Sequence, residues 1–208
     1  MTGLCLIWHL ATVLNKKINM INKNFIKKLK KEHLENDNER KQIIALSNII
    51  LYDSKRIIFA LHRGDMKKAV DKFNETEKIL NKLEIKFGHK RLYKEGVYKA
   101  GVEEYVEAKM FYFVLTGKKI DKIKKIKLNF ESYLGGICDL TGELVRKAIN
   151  EASNENFKEV KKNKKIINDI MAELVEFDMV GYLRTKYDQA KNNLRKIEQI
   201  NYEIKIRK

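Results

Sequence analysis

Proline is missing from this sequence altogether, and proline is the residue that interrupts helix interiors and punctuates many loops. With only 10 glycines in 208 residues and 35% charged side chains, its absence points to long, nearly continuous helices. Cysteine is almost as scarce. Cys5 and Cys138 lie far apart, with no CxxC spacing and no Cys/His pairing, which argues against a disulfide framework and a structural zinc site. The four histidines, His9, His33, His62 and His89, are scattered and do not form a histidine-based catalytic pattern. There is neither a glycine-rich phosphate loop nor a GxSxG elbow. Long apolar runs are lacking too. The most apolar segment, residues 3–14, is too short to span a bilayer and lacks the basic start of a secretory signal. No membrane partner is expected, and the expected location is cytoplasmic.

What the sequence does have is positive charge. Lysine and arginine outnumber the acids 44 to 28, a formal charge of +16. Such an excess favours a polyanionic partner. Nucleic acid stands ahead of a membrane surface because no segment has the two-sided, tryptophan-rich pattern of a surface anchor. A helical scaffold whose lysines serve only solubility is the plain alternative. The length suits one domain with a substantial core, over residues 20–208. Residues 1–19 are a compositional outlier: an extension outside that domain or a start assigned too early, with a docking helix as the other reading.

The most informative window is residues 97–115, VYKAGVEEYVEAKMFYFVL. At helical spacing Val97, Ala100, Gly101, Glu104, Glu107, Ala108, Phe111 and Leu115 share one stripe, so two carboxylates interrupt an apolar face. Val102, Tyr105, Val106, Met110, Tyr112 and Phe113 make most of the remaining surface apolar as well, as in a helix covered on several sides. Carboxylates withdrawn from water cost several kcal/mol unless cations or donors compensate them. Lys99 and Lys109 fall on other lines of the helix. Two explanations stay open: a Mg2+ or Mn2+ site, for which oxygen ligands are typical, or acids bonded to an arginine or tyrosine of a neighbouring helix.

Around this window the chain divides into helices at glycines. One helix is expected over residues 24–63, stopping at Gly64 with Asp65 capping the next; that one stops at Gly88, and the central helix at Gly117. Residues 118–127, KKIDKIKKIK, are expected to form a short amphipathic helix with a basic outer face. Its lysines are either merely solvated or phosphate-facing. The helix over residues 129–152 carries Gly135, Gly136 and Gly142, costly within a helix and expected to mark close approach by a neighbour. Asp139, Glu143 and Arg146 share one side of it, either as an ion-pair network that fixes packing or as part of a site. Residues 157–180 are expected to be helical, with lysines first and Glu173, Glu176 and Asp178 last, against the helix dipole. A cation near the acidic end would rationalise that order. In the last helix, residues 182–206, Leu183, Tyr187, Ala190, Leu194 and Ile197 form a packing seam.

Four blocks, SKRIIFALHR (54–63), VEEYVEAKMF (102–111), YLGGICDLTGELVR (133–146) and YLRTKYDQAKNNLRKIEQINYEIKIR (182–207), resemble the translin and translin-associated factor X (TRAX) family. They occur in the family's order, and the similarity spans about residues 38–207. The resemblance implies an all-α fold of about seven helices in an antiparallel bundle, assembling into a hollow homo-oligomer, a hexamer or octamer, that encloses RNA. The TRAX branch is a metal-dependent endoribonuclease for single-stranded or nicked RNA. The translin branch binds single-stranded RNA or DNA and is mostly not catalytic.

The EYVEA block matches the TRAX pattern, whose metal-binding catalytic glutamates fall on Glu104 and Glu107. The third acid, an aspartate in the family, falls on Glu176, with Glu173 or Asp178 as alternatives. Mg2+ or Mn2+ is the implied cofactor. The basic residues of the first block, Lys55, Arg56 and Arg63, are the candidate RNA-backbone contacts. No base-reading constellation is visible, so little sequence specificity is expected.

Overall fold

The computed structural model describes residues 20–206, so the expected N-terminal extension lies outside the described residues. Among the described residues seven helices follow one another: α1 (Lys23–His62), α2 (Met66–Phe87), α3 (His89–Leu92), α4 (Gly96–Leu115), α5 (Phe130–Ser153), α6 (Phe157–Leu174) and α7 (Gly181–Ile206). The fold is all-α, as expected. The chain divides into two compact units, residues 1–40 and 41–208. In the described part of the first, Ile21, Phe25, Leu29 and Leu34 are exposed. The second holds the core.

The helices stop where backbone chemistry requires. Gly64, Gly88 and Gly117 adopt φ of +74°, +74° and +70°, a left-handed conformation that side chains disfavour. Asp65 accepts a hydrogen bond from the Lys68 backbone N–H, and Asn129 accepts one from that of Ser132, satisfying N–H groups that the first turns of α2 and α5 leave free.

α4 is the centre of the second unit. Tyr98, Val102, Tyr105, Val106, Met110 and Phe111 are all buried, so it is covered on several sides, as its composition requires. Its tightest neighbour is α5. A Cβ on Gly136 would meet the Val106 side chain at 2.7 Å and the Glu107 backbone nitrogen at 2.9 Å, and one on Gly135 would overlap the Glu103 carboxylate. Across the other side, a Cβ on Gly101 would lie 3.0 Å from the Ser47 carbonyl oxygen of α1. α5 in turn packs against α6 and α7, where the expected seam buries Ala190 and Ile197.

Two expectations fail. Residues 118–127 are irregular, not helical. Ile123 and Ile126 are buried and the lysines exposed, as the pattern demands, but the Ile123 backbone N–H donates to the Tyr133 hydroxyl and Lys125 takes φ +71°. The isoleucines dock the loop without a helix. α6 also ends early, at Leu174, so Glu176 and Asp178 lie on the connection to α7.

Candidate metal and RNA site

The site begins with the pitch of α4. Glu103, Glu104 and Glu107 project from about one turn of the helix, Glu107 one turn after Glu103 and nearly one turn after Glu104. Glu107 is only 7% exposed, and Glu104 is half-buried. Among the described residues no hydrogen bond or ion pair reaches either of these two carboxylates. The lysines of the same helix are engaged elsewhere: Lys109 donates to Glu77 at 2.7 Å and lies over the Phe73 ring, and Lys99 is exposed in the wall of a separate cavity.

α5 adds more acid. Its tight contact with α4 brings Asp139 and Glu143 into the field of Glu104 and Glu107. Burial, reinforced by Asp139, Glu104 and Glu143, pushes the Glu107 carboxyl up to about 9. Burial also raises Glu104, with Lys55 of α1 and Lys186 of α7 acting the other way.

Glu103 is treated differently. Although nearly as buried as Glu107, it accepts a hydrogen bond from the Tyr182 hydroxyl at 2.6 Å and an ion pair from Lys186 at 2.8 Å. The same Lys186 ammonium reaches Asp139 at 2.5 Å. Burial alone would lower the Lys186 pKa, but the bonds to Asp139 and Glu103 hold it well above the ordinary value. Asp139 is itself raised, by burial and by the proximity of Glu103. Glu143 faces His62 at 2.5 Å and Arg146 at 3.6 Å, and His62 packs on the Phe111 ring.

The structure thus brings Glu104, Glu107 and Lys55 together and adds Asp139 and Glu143. Glu176 does not join them: it is exposed beyond the end of α6, as is Asp178, and Glu173 is exposed in the last turn of α6. Arg56, also exposed, is tied to Asp53 at 3.0 Å, and Arg63 lines a separate pocket of about 420 Å3 with Lys147, Lys162, Glu151 and Glu159. A larger cavity of about 1000 Å3 has Tyr93, Phe130, Phe177 and Tyr182 in its wall and shares only Glu103 with the carboxylate group. Nothing in the sequence singles out Glu103 or Lys186. Glu103 sits beside Glu104 in an EE pair, and only the position of α7 reveals which of the two is neutralised.

An oxygen-only donor set with a buried, unbonded carboxylate has the chemistry of a hard divalent cation site. In the conformation described, however, no three acidic, histidine or cysteine side chains converge as a metal site among the described residues. Asp139 is engaged by Lys186, and Glu143 by His62 and Arg146.

Comparison with known proteins places this geometry in context. The model of the Translin family matches residues 38–208. An uncharacterised protein of Methanocaldococcus jannaschii is 30% identical over 165 residues, covering 77% of this chain and 73% of that protein. The translin-associated protein X homolog of Schizosaccharomyces pombe is 29% identical over 189 residues, 81% of each chain. Among solved structures, AfC3PO superposes with a TM-score of 0.79 at 20% identity, covering 88% of this chain and 98% of that one. A duplex RNA complex of AfC3PO superposes with a TM-score of 0.76, also at 20% identity, with coverages of 88% and 97%.

Proposed function

Because the chain belongs to the Translin family, we propose that it is a metal-dependent endoribonuclease that cuts single-stranded or nicked RNA inside a hollow homo-oligomer. The observation that carries this reading is Glu107: 7% exposed, with no side-chain or backbone donor bonded to it among the described residues, and in the field of other acids. A structural acid in that position would be expected to have a partner, as Glu103 has. Support for the RNA substrate comes from the charge of +16 and from the fold shared with a protein solved as a duplex RNA complex. Support for the TRAX branch comes from EYVEA, whose two glutamates are Glu104 and Glu107.

Glu104 and Glu107 would hold one or two Mg2+ or Mn2+ ions, completed by Asp139 and Glu143 in place of Glu176. Such an ion, when bound, lowers the pKa of its water and stabilises charge developing on a phosphate. The chain supplies the rest. Glu107 gives up its proton to become a ligand, Gly135 and Gly136 let α5 approach closely enough to present Asp139, and Lys55 lies beside Glu104 to receive a backbone phosphate. Arg63, just past the end of α1, would offer a second phosphate contact beside Lys147 of α5 and Lys162 of α6, which are paired with Glu151 and Glu159. Contacts of this kind read charge and not base identity, so specificity for sequence is low. A duplex would need an existing break before its backbone entered an interior site.

A second reading, a non-catalytic shell that binds RNA or single-stranded DNA in the translin manner, has one observation in its favour: the acids do not converge as a metal site in the conformation described. A time course on labelled single-stranded RNA, in Mn2+ or Mg2+ and in EDTA, separates the two. Metal-dependent cutting by the wild type and not by the Glu104→Ala, Glu107→Ala protein supports the nuclease. Binding without cutting by both proteins supports the shell.

A further inference from the structure

The carboxylates of this site fall into two sets, and one side chain divides them. Lys186 is the only ammonium bonded to either α4 or α5 acids at the site among the described residues, and it spends itself on Glu103 and Asp139. It is only 17% exposed, and Tyr182, one turn earlier on α7, donates to the same Glu103 oxygen that Lys186 contacts. A Cβ on Gly135 would overlap the Glu103 carboxylate, so the small residue leaves room for this arrangement. Asp139 is thereby withheld from Glu104 and Glu107, although its charge acts on both.

We propose that Lys186 is an internal counter-ion that competes with the metal for Asp139: a divalent cation binds when Asp139 exchanges the Lys186 ammonium for the ion, while Lys186 stays anchored by Glu103. This deepens the nuclease reading above and rests on its metal site. It also explains why oxygen donors of suitable chemistry do not converge without the ion. Glu103 has a defined part in the exchange. It is the resting place of the released ammonium, so the positive charge need not be expelled into solvent or left unpaired.

The test is Mn2+ binding to the full-length protein, measured by titration calorimetry and by the EPR signal of free Mn2+, with subunit assembly checked by light scattering. Lys186→Gln frees Asp139 and is expected to tighten Mn2+ binding by about tenfold to a hundredfold, the equivalent of one charge-assisted hydrogen bond. Glu103→Gln removes the second anchor, leaves Lys186 committed to Asp139, and is expected to weaken binding. Lys55→Gln controls for the mere removal of a nearby cation and is expected to change binding far less than Lys186→Gln.

A merely structural Lys186 would weaken binding, and a merely electrostatic one would match Lys55→Gln; either result overturns the proposal. If Mn2+ binds neither the wild type nor Lys186→Gln, the metal reading itself fails and takes this inference with it. Binding by the Lys186→Gln protein alone would support both.

Discussion

Glu103 and Glu107 stand one turn apart on the same helix and are almost equally buried, yet they are handled in opposite ways. Glu103 has a tyrosine hydroxyl and a shared ammonium from α7. Glu107 has other carboxylates near it and no donor bonded to it among the described residues. The first is how a protein makes a buried acid safe, by supplying charge and hydrogen bonds that replace water. The second leaves the acid costly until something else arrives. Burial is the same in both, so the partners decide which acid is structural and which is available.

The largest test of this contrast replaces the acids themselves. Glu104→Ala with Glu107→Ala is expected to abolish cleavage of labelled RNA while leaving assembly and RNA retention on a filter intact. Glu103→Ala is expected to act first on stability, because it strips Lys186 and Tyr182 of their shared acceptor.

The next effect is on pH dependence. The Glu107 carboxyl sits near 9 in the folded protein against an ordinary 4.5, so the folded state holds a proton that the unfolded chain has lost across that window. Stability of the metal-free protein therefore falls as pH rises from about 4.5 to about 9, by a penalty on the order of 5 kcal/mol from this group. Glu107→Gln removes the penalty. In chemical denaturation without metal, the variant should be the more stable protein at pH 8, and the two should converge near pH 4.

Packing comes third. Gly136→Ala drives a methyl into Val106 and the Glu107 backbone and is expected to cost about 1–3 kcal/mol, the usual range for overpacking. Gly142→Ala meets only the Asn193 amide at 3.4 Å and gains helix propensity, so it should be neutral or slightly stabilising in a thermal melt. The smallest effect is on RNA affinity. If Lys55 and Arg63 contact phosphates as proposed, replacing either should reduce the salt slope by about one unit, and Arg56→Ala by less because Asp53 already holds that side chain.

Much of this was legible in the sequence. Gly64, Gly88 and Gly117 end helices because a left-handed residue is needed there, and the apolar sides of residues 97–115 announced a buried helix. Gly135 and Gly136 are readable as close approach for a different reason, the cost of glycine inside a helix, whereas Gly142, expected to do the same, meets only Asn193 at ordinary contact distance. The errors came where tertiary partners decide. Ile120, Ile123 and Ile126 recur at helical spacing, but burying an isoleucine does not require a helix, and Tyr133 satisfies the backbone instead. Glu176 looked like the end of an acidic helix, whereas the helix closes at Leu174 and leaves Glu176 in solvent. Asp139 and Glu143 were visible as a spaced pair. Only the contact between α4 and α5 gives them Glu107 for company, and only α7 supplies Lys186.

The most direct measurement is the number of protons released when Mn2+ binds, obtained from calorimetry at pH 7.5 in buffers of different ionisation enthalpy. With Glu107 still protonated at that pH, binding should release close to one proton per site, and both the heat and the release should vanish in the Glu104→Ala, Glu107→Ala protein. Absence of Mn2+ binding by the wild type, or binding that survives the double substitution, would contradict the claim that this carboxylate pair is held ready for a metal.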